Sequence, residues 1–132
     1  MRRDDWVEQM WLAIEDHADT EFVWGVNDCC LFVARVVDAM TDSDIETELN
    51  ASYTDEETAL TYIASFGSLE AAVSSHLGQP EPGRPLRGDV VLIDGGEGPA
   101  LGILVGGHIA GMGPNGFVYL PRSEALQRWA IQ

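Results

Sequence analysis

At 132 residues the chain is long enough for one domain with its own core, and 45% hydrophobic residues exclude a disordered polymer. Its 22 acids against seven bases, all arginines, give a net charge of −15. That balance excludes nucleic acid and anionic membrane surfaces as partners, since both need clustered Lys and Arg.

The acidity is uneven. Residues 1–58 hold 16 acids and three arginines, and residues 59–132 hold six acids and four arginines. Such an acidic half either aids solubility or docks a basic partner. No apolar run approaches about 18 residues, which argues against membrane insertion. The opening MRRDDWVEQMW has no signal core, because Asp4, Asp5 and Glu8 interrupt it. Synthesis in the cytoplasm without a signal peptide is therefore expected.

In chain order, Asp4 or Asp5 caps a first helix reaching about His17, with Trp6, Met10 and Ile14 along one apolar face. Residues 18–21 form a linker, and Phe22 to Gly25 leads into the central element. Asn27 or Asp28 caps a helix that starts at Cys29 and runs to Met40, apolar except for Arg35 and Asp38. A helix apolar nearly all round belongs in the core. Residues 41–52 are polar and acidic and read as a loop. Thr54-Asp55-Glu56-Glu57 has capping-box spacing and opens a helix that stops at Gly67. Ser68 caps a shorter one, ended by Gly78.

After this helical part, residues 1–78, the pattern changes. Residues 79–88, QPEPGRPLRG, form a connector with three prolines and two glycines. Short strands follow in residues 89–132, at Asp89–Ile93, Leu101–Val105, His108–Met112 and Phe117–Leu120. A turn of helix is expected at Ser123–Gln127 and a last strand at Arg128–Ile131. Helices first and an antiparallel sheet afterwards predict an α+β fold in a single domain.

Three motifs lose their sharper meaning in context. Gly111 to Gly116 matches GxGxxG, but Pro114 and Asn115-Gly116 lead into a strand, which makes a hairpin turn and not a dinucleotide site. Asp42 to Glu46 resembles the start of a calcium loop but has Thr47 at the glycine position and Tyr53 at the last ligand position. The two cysteines and His17, His76 and His108 lack metal-ligand spacing, so neither a metal nor any other cofactor is expected. His17 and His76 fall at helix carboxyl ends, where an imidazole is commonly a surface group favoured by the dipole.

Cys29 and Cys30 are the only cysteines, and a disulfide between neighbours strains normal geometry, so both thiols are expected reduced. Cys29 falls in the first turn of the central helix, where free amides and the helix dipole favour a thiolate. Each cysteine can equally be a small buried hydrophobe.

Taken together, Phe22-Val23-Trp24-Gly25, Asp28-Cys29, Arg87-Gly88-Asp89-Val90-Val91 and the run Ala100 to Gly106 resemble the NlpC-type branch of the papain-like peptidases, which cleave cell-wall peptides. The likeness spans residues 22 to about 120. It is greater still to an uncharacterised NlpC-like family found in phage tail and prophage gene clusters. The resemblance puts Cys29 at the nucleophile position, either working or a relic. It puts Ala100 where the family carries its catalytic histidine, and Gly111 or Met112 where it carries the third polar group. His108 is the one substitute base nearby in sequence, expected at the far end of its strand.

General-base help is typically worth 10²–10⁴-fold, so losing both partners leaves little peptidase activity. The resemblance thus implies a structural component of a phage or phage-like tail tip, built on a degenerate papain-like fold. Its partners would be other tail-tip or hub proteins, met through the acidic half, and its destination the virion. The alternative is a cysteine endopeptidase of peptidoglycan, with Cys29 as nucleophile and His108 as base.

Overall fold

The computed structural model describes all 132 residues. Five helices come first: α1 (Trp6–Ala18), α2 (Cys29–Thr41), α3 (Ile45–Ser52), α4 (Glu56–Ser65) and α5 (Leu69–Leu77). Five strands follow: β1 (Val90–Asp94), β2 (Pro99–Leu104), β3 (His108–Gly113), β4 (Gly116–Pro121) and β5 (Gln127–Trp129). All pair antiparallel, in the order β4-β3-β2-β1-β5. The class is therefore α+β, as the sequence predicts. No helix is long and apolar enough to cross a membrane.

Strand alternation sorts the sheet side chains into two layers. Val90, Leu92, Leu101, Ile103, Ala110 and Met112 face the helices and join Met10, Ile14, Phe32, Val36 and Met40 in the main core. Val91, Ile93, Leu104 and Ile109 face the other way and are covered by Ala100, Leu120 and Ala125. β1 is buried on both faces through Ile93, which is why it reads as an unbroken apolar run. The central helix α2 buries Leu31 to Ala34, Val36, Val37 and Met40, and it packs on α1, α3, β2 and β3.

The stretch 41–52 departs from expectation, since most of it is helix α3. Ile45 and Leu49 lie one turn apart and pack toward the helices of the core. The helix start is capped from outside: Asp38 of α2 accepts from the Ile45 and Glu46 amides at 2.9 Å each. Arg35 reaches the Glu46 carboxylate, the Asn27 side chain and the Val26 carbonyl. The two charges that interrupt the apolar α2 therefore tie α3 to it. The capping box of α4 also lies one residue later than its sequence suggests. Asp55 and Thr58 form it, because Thr58 supplies the reciprocal hydroxyl. At α1, Asp5 holds the cap position, yet its carboxylate binds Arg3 and Gln9 and makes no capping bond.

The proline-rich connector is held to the sheet by a buried ion pair. Asp89, 3% exposed, accepts from Arg128 at 2.9 Å and from the Leu86 amide at 2.9 Å. Arg128 also donates to the Pro82 carbonyl, and the Glu81 amide bonds the Arg128 carbonyl. Removing one partner of such a pair strands the other charge. Arg128→Met is expected to destabilise the fold by about 3–5 kcal/mol, measured by urea unfolding.

Candidate functional site

Residues 22–30 form a tight approach to α2. Asn27 bonds Thr20 at 2.5 Å and the Glu21 carbonyl at 3.0 Å, which fixes the chain before the helix. Gly25 has φ +80°, and a Cβ there would stand 2.1 Å from the Thr54 carbonyl oxygen. Only glycine satisfies both the left-handed backbone and that contact. Phe22 and Trp24 meet edge to face at 5.2 Å and pack into the two cores on either side of this turn.

Asp28, fully buried, is the cap of α2. Its Oδ1 accepts from the Leu31 amide at 2.9 Å and its Oδ2 from the Gly25 amide at 3.0 Å. Tyr53 Oη donates to the same carboxylate, 3.0 Å from each oxygen. Burial pushes the Tyr53 hydroxyl well above its ordinary range, with the Cys30 and Asp28 charges adding to the effect, so it remains a donor. Sequence reasoning missed Tyr53. The signal was present, since Tyr53 follows Leu49 by one helical turn, but it needed α3 to be read as a helix.

Cys29 and Cys30 are half-buried free thiols with their sulfurs 4.0 Å apart, well beyond the roughly 2.05 Å of a disulfide. The Cys30 S–H and then the Leu101 backbone lower the Cys29 thiol below its ordinary range, against burial and the Asp28 charge. Cys30 is pushed well up, first by its contact with the Cys29 sulfur and then by desolvation. Cys30 also lines an apolar cavity between the helices and β2, beside Tyr53, Tyr62, His76 and Leu101.

None of the other candidates joins Cys29. Ala100 pairs with Ile93 and packs on the layer facing away from α2. The residue of β2 that reaches the thiol is Leu101, through its backbone. Met112 is buried in the main core and Gly111 carries no side chain to offer. His108 is exposed at the start of β3, its ring 6.3 Å from that of Tyr119. By strand rise it lies about 13 Å along β3 from Met112, the position that the β2–β3 register sets opposite Leu101.

The remaining imidazoles are engaged elsewhere. His17 Nδ1 lies 2.8 Å from the Ala13 carbonyl. His76 is not the surface group its helix position suggests, because its side chain is only 12% exposed. Its Nε2 lies 3.2 Å from Tyr62 Oη and its Nδ1 3.5 Å from the Glu48 carboxylate. No three His, Cys, Asp or Glu side chains converge as a metal-ligand set. The site sets one thiol beside another, and no imidazole is hydrogen-bonded to Cys29.

Two outcomes follow from this geometry. Tyr53→Phe removes the hydroxyl bonds to a buried carboxylate and is expected to cost about 1.5–3 kcal/mol in urea unfolding. Cys30→Ala removes the leading cause of the Cys29 shift, so Cys29 should titrate at a higher pH, followed by thiolate absorbance.

The family model described as Domain of unknown function (DUF6950) matches residues 1–131. Comparison with curated proteins and with solved structures gave no match.

Proposed function

The chain belongs to the DUF6950 family, and we propose that it is a non-catalytic papain-like domain, an assembly component of a phage or phage-like tail tip. The observation that carries this reading is the company of Cys29. Nucleophilic catalysis needs a base within hydrogen-bond reach of the thiol and a third group to orient it. Cys29 has instead a second thiol and a backbone amide group. Donors of that kind stabilise a thiolate without accepting its proton.

Three further features support an inherited architecture put to structural use. The turn at Gly25, the Asp28 cap and the cysteine in the first turn of a buried helix stand where the sequence resemblance to the NlpC-type peptidases puts their nucleophile-bearing element. The Gly88-Asp89 pair opens the first strand in the same order along the chain. The acidic half offers charge complementarity to a basic neighbour.

The test combines thiol alkylation with a wall-peptide assay. Cys29 alkylation across pH should be unchanged, within about twofold, in His17→Ala, His76→Ala and His108→Ala, because no imidazole sets its reactivity. The purified chain should release no peptides from peptidoglycan and should be found in tail particles by mass spectrometry. A tenfold fall in Cys29 reactivity in any histidine variant, together with peptide release, would replace this proposal with a cysteine endopeptidase.

A further inference from the structure

We propose that Cys29 and Cys30 form a peroxide-sensitive switch, in which a hydroperoxide joins the two sulfurs in a disulfide and the first turn of α2 opens. The switch goes beyond the assembly reading and does not depend on it, since it needs only the two thiols and a small oxidant.

The thiols are in contact, and each is the other's only possible partner within the chain. Their sulfurs stand 4.0 Å apart, both residues are partly exposed, and no further cysteine is present. The two positions differ chemically. Cys29 is the first residue of α2, where backbone N–H groups lack an intrahelical acceptor and favour negative charge. Its contact with Cys30 and the Leu101 backbone hold the Cys29 thiol below its ordinary range. Cys30 lies against the apolar cavity and is pushed the other way. Cys29 therefore reacts first, because the thiolate is the nucleophile.

The chemistry takes two steps. The Cys29 sulfur attacks one oxygen of the hydroperoxide: an S–O bond forms, the O–O bond breaks, and the second oxygen leaves as water or an alcohol with the thiol's proton. The Cys30 sulfur then attacks the Cys29 sulfur: the S–S bond forms, the S–O bond breaks, and hydroxide leaves as water with the Cys30 proton. The sulfurs together lose two electrons, and the peroxide oxygens gain them. The second step profits from proximity, since Cys30 is already held beside its target. A cavity of about 60 Å³ on the other side of Cys30 leaves its side chain room to turn.

Closure of this ring is incompatible with the helix around it. Neighbouring Cα atoms stand about 3.8 Å apart across a trans peptide, against about 4.4–6.8 Å in ordinary disulfides. Successive side chains of a helix also diverge by about 100°. The bond closes only when the peptide between the two residues leaves helical geometry. That loss is local, because the amides of the first helical residues carry no intrahelical hydrogen bond. Opening removes chiefly the Leu31 amide's bond to Asp28 and the helical bond from the Val33 amide to the Cys29 carbonyl. The disturbance extends through Asp28, whose carboxylate also holds the Gly25 amide and the Tyr53 hydroxyl. The same strain makes the disulfide readily reduced, so the change reverses.

Intact mass spectrometry and amide hydrogen exchange of the full chain test this. The reduced protein, given a few equivalents of hydrogen peroxide, should lose about 2 Da, remain monomeric and no longer take up an alkylating agent. The Leu31 and Val33 amides should then exchange about tenfold faster or more, and dithiothreitol should restore both readings. Cys30→Ser should instead gain about 16 Da as a sulfenic acid that a 1,3-dione traps. Cys29→Ser should react about tenfold more slowly than the natural chain. A natural chain that gains about 16 or 32 Da in place of losing 2 overturns the proposal, as does a disulfide formed between two chains. Loss of 2 Da with unchanged exchange at Leu31 and Val33 overturns the conformational switch. Oxidation of Cys29→Ser at the natural rate overturns the assignment of Cys29 as the reacting thiol.

Discussion

The carboxylate of Asp28 is the constraint on which the rest of the structure depends. A carboxylate buried this completely is costly unless donors surround it. Its donors come from three separate places: the Gly25 amide in the approach turn, the Leu31 amide inside α2, and the Tyr53 hydroxyl at the end of α3. Satisfying one side chain therefore fixes the turn, the start of the central helix and the junction between α3 and α4. The close approach of Gly25 to Thr54 belongs to the same junction, since Thr54 is the neighbour of Tyr53.

That arrangement also accounts for a cysteine at the head of α2 with no imidazole bonded to it. The fold needs Asp28 as a cap and needs a small apolar residue behind it, and a cysteine meets the second need. Cys30 sits against the apolar cavity and Cys29 against β2, where the only hydrogen-bonding group offered is backbone. Proton transfer demands a titratable side chain within hydrogen-bond reach of the thiol, and β2 offers none there. Alternation instead sends Ala100 to the far layer and Leu101 into the core.

The helical half and the sheet are joined by charges placed where apolar patterning alone would leave gaps. Arg35 and Asp38 draw α3 onto α2, and Asp89 with Arg128 draws the connector onto β1 and β5. Each works by satisfying backbone groups at the end of an element as well as by charge pairing. The connector so held closes one edge of the sheet, and nothing equivalent reaches the other.

Local patterning by itself determined most of the fold. The apolar period of α1 and α2, the Ser68 cap and Gly78 stop of α5, and the glycine-punctuated strands are all local signals, so their elements fall within one or two residues of expectation. Asp28 as a cap was legible for the same reason. What only the tertiary structure decided rests on contacts between residues far apart in sequence. Helix α3 is invisible locally because its cap, Asp38, belongs to another helix. The role of Tyr53 depends on α3, and the burial of His76 depends on Tyr62 and Glu48. The residue of β2 that meets Cys29 was decided by strand alternation, in which a displacement of one position changes the face.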